Sequence, residues 1–263
     1  MKSLNKDIYD PQFVKGMFDR MSKTYGVANY VSSFGFTARW RRQCVNDLPE
    51  IDQASVGYDL MSGMGEAWGD IQRKVLSEGK IIAVDISDDM NKKAAEHTKR
   101  LKVKNVELLK MNVLNDEIPS DSADFIISTF GIKTFSLEQQ EQLAKTISRV
   151  LKPRGAFSLA EVSEPNGWFL KFFYMLYLKR IIPFIGKYFL GNAEDYRMLG
   201  VYCEEFKDSR SMLEFLRREG LEVSFRSYFF GCATGVVGRK GQLGFKKNVP
   251  IILNDQDADS SLS

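Results

Sequence analysis

The sequence predicts an α/β fold: a doubly wound, mostly parallel, seven-stranded sheet with a C-terminal antiparallel hairpin and an N-terminal helical cap. Three observations carry this. From Tyr58 to Glu161 short apolar runs alternate with amphipathic stretches, the signature of strand–helix–strand crossovers. A helical stretch precedes that alternation. Two further apolar runs, split by Gly231, close it.

The elements follow in order. Val14, Met17, Phe18, Met21 and Tyr25 recur at helical spacing within Gln12–Tyr25. A second helix is expected from Thr37 to about Asp47, with a boundary at Pro49 and Gly57. Tyr58–Met61, Lys80–Asp85, Val106–Met111, Ala123–Thr129 and Ala156–Glu161 read as strands. Between them Ala67–Ser77, Met90–Lys102 and Ser136–Leu151 read as helices, the first stopped by Gly79 and the last by Pro153 and Gly155. Ser211–Glu219 reads as a helix, and Glu222–Phe230 with Ala233–Arg239 as the hairpin. One α/β domain over 51–240, a cap over 1–50, an insertion over 164–210 and a polar, disordered tail over 241–263 are the expected organisation, with no internal repeat.

Composition narrows the function. The chain has 263 residues, 37 Lys and Arg against 34 Asp and Glu, and a net charge of +3. That balance gives no reason to expect a nucleic-acid partner. Cys44, Cys203 and Cys232 stand far apart, so neither a disulfide framework nor a zinc site is expected. His97 is the single histidine and falls among lysines, which predicts a solvent-facing side chain rather than a catalytic one. No apolar leader is evident in the first residues, so a cytoplasmic chain is expected.

Asp59-Leu60-Met61-Ser62-Gly63-Met64-Gly65-Glu66 falls where the first strand turns into a helix. Glycines there let backbone approach a ligand, beside free N–H groups of a helix start. Asp85 ends the second strand, where a carboxylate can accept hydrogen bonds from two ribose hydroxyls. A nucleoside cofactor follows, either NAD(P) or S-adenosylmethionine. The turn lacks the GxGxxG spacing, and Glu66 would repel a pyrophosphate, so S-adenosylmethionine is favoured.

Longer motifs sharpen this. They are Phe18-Asp19-Arg20 through Tyr25, Asp59–Glu66, Phe130-Gly131, Arg149–Pro153, Glu161–Pro165, Ala193–Leu199 (AEDYRML) and Thr234–Val237. Through them the chain resembles the ubiquinone/menaquinone biosynthesis C-methyltransferases, a branch of the class I methyltransferases. The resemblance implies that Asp59, Ser62, Gly63, Met64 and Gly65 line the cofactor's methionine and ribose. It places Asp85 on the ribose hydroxyls, Asn112 and Val113 beside the adenine, and Thr129 beneath it. Ser62 replaces the first of the family's paired glycines, and Lys133-Thr134 stands where Arg-Asn is usual. The cofactor positions are mostly kept, while the acceptor positions depart.

The implied acceptor is a small hydrophobic molecule, a quinone precursor or another prenylated or aromatic ring. A prenyl diphosphate, a specialised aromatic metabolite or a non-catalytic cofactor-binding role are the alternatives. Methyl transfer from a sulfonium is governed by positioning and needs no metal. Lys133, Tyr25, Tyr196 and Glu161 are the candidate catalytic residues, with Lys133 able to stabilise a phenolate. Trp168–Phe189 holds nine aromatic residues, four cations and no acid. Phe169, Phe172, Phe173, Leu176 and Tyr177 form one stripe, readable as core, as a lid over the acceptor or as a peripheral membrane contact. Oligomeric state is not written in the sequence.

Overall fold

The computed structural model describes residues 8–22, 33, 35–49, 55–74, 79–101, 105–165, 167–177, 180, 182–185 and 193–242. Its frame is built from β1 (Val56–Leu60), β2 (Lys80–Asp85), β3 (Val106–Lys110), β4 (Ala123–Thr129), β5 (Leu151–Val162), β6 (Leu221–Tyr228) and β7 (Ala233–Lys240). They form one sheet in the order β3-β2-β1-β4-β5-β7-β6. The first five are parallel to one another, and β7 runs antiparallel to both β5 and β6. The apolar runs of β1, β2 and β4 are buried nearly end to end, as strands covered on both faces must be.

The described helices are α1 (Pro11–Met21), α2 (Phe36–Asp47), α3 (Trp68–Lys74), α4 (Asp88–Leu101), α5 (Leu137–Val150), α6 (Trp168–Leu176), α7 (Ile182–Ile185), α8 (Ala193–Phe206) and α9 (Arg210–Arg218). Leu143, Ile147 and Val150 of α5 join Met212 and Leu216 of α9 over one face of the sheet. Trp40, Cys44 and Val45 of α2 join Trp68 and Ile71 of α3 and Ala94 of α4 over the other. The chain is therefore wound on both sides, as its alternating pattern predicts. A third cluster binds the cap to the insertion: Val14, Met17 and Met21 of α1 meet Ile182, Tyr196, Met198 and Tyr202.

Three elements differ from the sequence reading. β5 begins at Leu151, five residues early, because the chain passes from α5 into pairing through a bulge. Arg154 takes φ +67° there, which lets the strand absorb Pro153. The second difference is α8, a helix of fourteen residues where the sequence offered only a motif. The third is His97. It is half-buried, stacks on Trp68 at 6.4 Å and donates from Nδ1 to the Met64 carbonyl at 2.8 Å. The lysines around it occupy the outward face of α4, while its own position turns toward α3. The tail expected over 241–263 lies outside the described residues except for its first two.

Candidate active site

The carboxyl ends of β1, β2, β4 and β5 lie along one edge of the sheet, where an open α/β sheet binds its ligands. Two cavities meet there. The first has a volume of about 80 Å³ and is lined by Ser62, Gly63, Asp85, Asn112, Val113 and Thr129 among others.

Asp85 organises this cleft. Its Oδ2 accepts from the Gly63 N–H and its Oδ1 from the Ser87 N–H, each at 2.8 Å. Both oxygens keep a second lone-pair direction, which suits two hydroxyls. Burial pushes its carboxyl up to about 6. The Ser62 hydroxyl also lines the cleft, buried and without a hydrogen-bond partner. An orphaned polar atom beside a carboxylate with spare capacity fits a nucleoside with a polar tail. Asn112 Oδ1 accepts from the Leu114 N–H at 3.0 Å, an Asx turn that fixes the residue at the cleft wall. When bound, S-adenosylmethionine supplies an activated methyl group on a sulfonium.

Asp59, Met64 and Gly65 act differently from the residues named above. None of them lines the cleft. Asp59 is buried on β1 and accepts the Trp68 indole N–H at 2.9 Å. Burial pushes its carboxyl up to about 7. Gly65 has φ +78°, and a Cβ there would stand 2.4 Å from the Trp68 ring. Met64 offers its carbonyl to His97. Together they shape the turn from behind.

The roof comes from the cap. Tyr9, Pro11, Val14 and Phe18 close over the cleft. Asp10 caps α1 by accepting from the Gln12 and Phe13 N–H groups. The Tyr202 hydroxyl donates to the Ile8 carbonyl, and Gln139 Nε2 donates to the Tyr9 carbonyl at 3.0 Å. Asp19 accepts the Ser87 hydroxyl at 2.5 Å, tying α1 to the β2–α4 turn.

The second cavity has a volume of about 330 Å³. Phe36, Trp40, Leu170, Tyr174, Tyr177 and Phe229 give it an aromatic, apolar lining. Phe130 is the one lining residue the two cavities share among those described. It sits at φ +68° after β4, with its N–H donating to the Ala160 carbonyl at 2.9 Å. Gly131 follows because a Cβ would lie 2.6 Å from that of Met61.

Lys133 reaches the second cavity from the 3₁₀ turn after Phe130. Its Nζ donates to Glu161 Oε1 at 2.7 Å and to the Phe130 carbonyl at 2.9 Å. Its own N–H donates to Glu161 Oε2 at 3.1 Å. Glu161 is fully buried and Lys133 is 5% exposed. Tyr196, also buried, lines the same cavity. Tyr25 lies outside the described residues.

Sequence reasoning missed several lining residues. Arg41, buried on α2, stands 5.5 Å over the Phe130 ring and 4.0 Å from Glu66. The acid in the turn was a signal that a cation would be near, but not which one. Cys203 and Cys232 line the acceptor cavity, and burial pushes their thiols up to about 12 and about 11. Phe229 lines that cavity as well: the sequence reading carries the strand through Phe230, whereas β6 ends at Tyr228 and both aromatics fall in the turn at positive φ. No cluster of metal-ligating side chains occurs among the described residues.

The strand order and a cleft at the β1–β2–β4 carboxyl ends define a class I, S-adenosylmethionine-dependent methyltransferase. The chain belongs to the ubiE/COQ5 methyltransferase family, whose model matches residues 5–240. It is 28% identical over 242 residues to a demethylmenaquinone methyltransferase of Lactococcus lactis, covering 92% of this chain and 94% of that one. It is 30% identical over 223 residues to one of Thermotoga maritima, covering 84% and 93%. Among solved structures it is similar to a possible histamine N-methyltransferase of Thermotoga maritima, with a TM-score of 0.57 and 20% identity over 86% of this chain and 99% of that one. That last likeness concerns the fold.

Proposed function

We propose that the enzyme methylates a ring carbon of a hydrophobic, prenylated quinone precursor in its reduced, phenolic form. One observation carries this: an aromatic cavity that meets the cofactor cleft at Phe130, with Lys133 in its wall and Glu161 paired to it just behind. The relatives named as demethylmenaquinone methyltransferases support the same acceptor class.

In this reading Ser62, Gly63 and Asp85 hold the cofactor's polar parts, Asn112 and Val113 flank its base, and Thr129 lies beneath. Asp59, Met64 and Gly65 hold the turn that presents them. The acceptor ring lies against Phe130. Lys133 orients a ring hydroxyl and favours its anion, which raises electron density at the neighbouring carbon. S-adenosylmethionine, held by Ser62, Gly63 and Asp85, would supply the methyl group to that carbon as an electrophile. The ring proton then leaves toward Glu161, restoring the aromatic ring. Tyr196 and the aromatic lining keep water out. Cys203 and Cys232, held as neutral thiols, are poor nucleophiles toward an oxidised quinone.

A diphosphate acceptor finds less support. Among the described residues lining the acceptor cavity the cation is Lys133, already engaged by Glu161. Arg197 is exposed and paired with Glu194.

The test is incubation with methyl-labelled S-adenosylmethionine and a reduced demethylated menaquinone precursor, followed by mass spectrometry. Label on a ring carbon is the expected result. Label on oxygen, or none while a prenyl diphosphate is labelled, would overturn the proposal.

A further inference from the structure

Arg41 carries a buried charge that the fold does not use. It is 9% exposed, and it makes no hydrogen bond to any described residue. Glu66 Oε1 lies 4.0 Å from its Nη2, beyond hydrogen-bond reach. The other Glu66 oxygen already accepts the Met64 N–H at 3.3 Å. A guanidinium offers five N–H donors in a fixed fork, and burying them without acceptors is unfavourable. A ligand that brings an acceptor would relieve that cost.

The side chain is aimed at the cofactor cleft. Helix α2 straddles the junction of the two cavities: Thr37 and Trp40 line the acceptor side, and Arg41 lines the cofactor side. Trp40, Cys44 and Val45 anchor the helix in the core, which fixes where the arginine stem starts. The guanidinium then lies over the Phe130 ring, 5.5 Å from its centre. Phe130 holds that platform at φ +68°.

Strand order gives the direction of the ligand. Along β3-β2-β1-β4 the cleft presents Asn112 and Val113 after β3, Asp85 at the end of β2, Ser62 and Gly63 after β1, and Phe130 after β4. A nucleoside held at Asn112 and Asp85 would therefore run its tail toward Phe130 and Arg41. The charges also match in sign and number. S-adenosylmethionine carries a sulfonium, an ammonium and one carboxylate. Among the described residues lining the cleft, Arg41 is the one cation, and Glu66 and Asp85 are the acids. Bound carboxylate and ammonium would replace one long Arg41–Glu66 contact by two short ones, with no charge left unpaired.

We infer that Arg41 receives the carboxylate of the cofactor's methionine end and Glu66 the neighbouring ammonium, so that the site reads an intact amino-acid zwitterion and not an adenosine alone. The inference concerns the cofactor and does not depend on the acceptor.

The experiment is calorimetry on the full chain with three ligands and no acceptor: S-adenosylmethionine, its decarboxylated form, and 5′-methylthioadenosine, which lacks the whole amino-acid end. The wild type should bind S-adenosylmethionine about 30-fold more tightly than the decarboxylated form, the scale of a charge-assisted, two-pronged contact. Arg41→Gln should lose about that factor for S-adenosylmethionine only. Its affinity for the decarboxylated form should be at least that of the wild type, and its affinity for 5′-methylthioadenosine unchanged, which reports an intact cleft. Arg41→Lys should recover part of the loss, because a point charge lacks the planar fork. Glu66→Gln should weaken both amino-bearing ligands alike, about tenfold, and leave 5′-methylthioadenosine unaffected. The inference is overturned if the wild type binds the decarboxylated form as tightly as the intact one, a comparison that needs no variant. It is equally overturned if Arg41→Gln binds S-adenosylmethionine as the wild type does, or if it loses all three ligands by the same factor. That last result would make Arg41 a prop for the Phe130 ring.

Discussion

Arg20 and Asp195, 175 positions apart, form a two-pronged ion pair that fastens the cap to the insertion. Arg20 Nε donates to Asp195 Oδ2 at 2.9 Å and Nη2 to Oδ1 at 2.7 Å. They belong to the Phe18-Asp19-Arg20 and AEDYRML motifs, so two of the blocks that carry the family resemblance are one contact in space. The roof of the cofactor cleft and a wall of the acceptor cavity are thereby tied to each other.

That coupling predicts a joint kinetic effect. Arg20→Ala should raise KM for both the cofactor and the acceptor. Arg20 is half-exposed, so the pair's stabilisation is modest, about 1 kcal/mol in a double-mutant cycle with Asp195→Ala. Denaturation midpoints for the single and double variants measure it. Additive effects would mean the two elements are held by their apolar cluster alone.

Asp85 predicts the strength of the cofactor site. Asp85→Asn keeps its shape but removes the charge that would strengthen two hydroxyl hydrogen bonds, and it disturbs the Gly63 and Ser87 N–H contacts. Affinity for S-adenosylmethionine should fall about 100-fold, the sum of two charge-assisted hydrogen bonds. Calorimetry gives the answer, and binding equal to the wild type would place the ribose elsewhere. In the wild type, affinity should also decline as pH falls through about 6, where this carboxyl protonates.

Apo stability should follow the opposite slope. Burial raises the carboxyls of Asp59 to about 7 and Asp85 to about 6, from an ordinary value of 3.8. The folded chain therefore binds these protons more tightly than the unfolded one. Their contribution is most favourable below pH ~4 and is lost as pH rises through 6 and 7. Urea midpoints without cofactor should be higher at pH 5.5 than at pH 8. Asp59→Asn should flatten that slope and stabilise the chain at pH 8 by a few kcal/mol. A variant with the wild-type slope would show that Asp59 is ionised at no cost.

The sheet was legible because its signal is local. Lys80–Asp85 and Ala123–Thr129 are apolar runs that could only be buried strands, and their observed bounds are those read from sequence. Fourteen residues of α8 were not legible as a helix, since Gly200 sits within them and the buried positions include Asp195 and Tyr196, whose burial depends on α1. In the site, Asp85 could be read from its place at a strand end. The Lys133–Glu161 pair could not, because its members lie 28 residues apart on neighbouring elements and only the β4–β5 register brings them together. Asp59 illustrates the converse. Its motif is shared with a cofactor turn, yet one carboxylate oxygen takes the Trp68 indole N–H while the other, Oδ1, is buried without a hydrogen-bond partner.

The buried pair gives the sharpest test of the chemistry. Lys133→Ala alone would leave Glu161 without its cation in a dry site, a change that by itself destabilises by about 3–5 kcal/mol. Loss of activity there would say little. Lys133→Met combined with Glu161→Gln removes both charges at nearly constant volume, which is often neutral for stability. If the pair orients the acceptor anion and receives the ring proton, that double variant should keep its cofactor affinity while kcat falls about 10²–10⁴-fold. Lys133→Arg restores a cation to the position and should recover part of the rate, with a changed acceptor KM because the planar fork is bulkier. An unchanged kcat in the double variant would make the pair a structural tie between the Phe130 turn and β5, and would move the proton's destination to another group in the cavity.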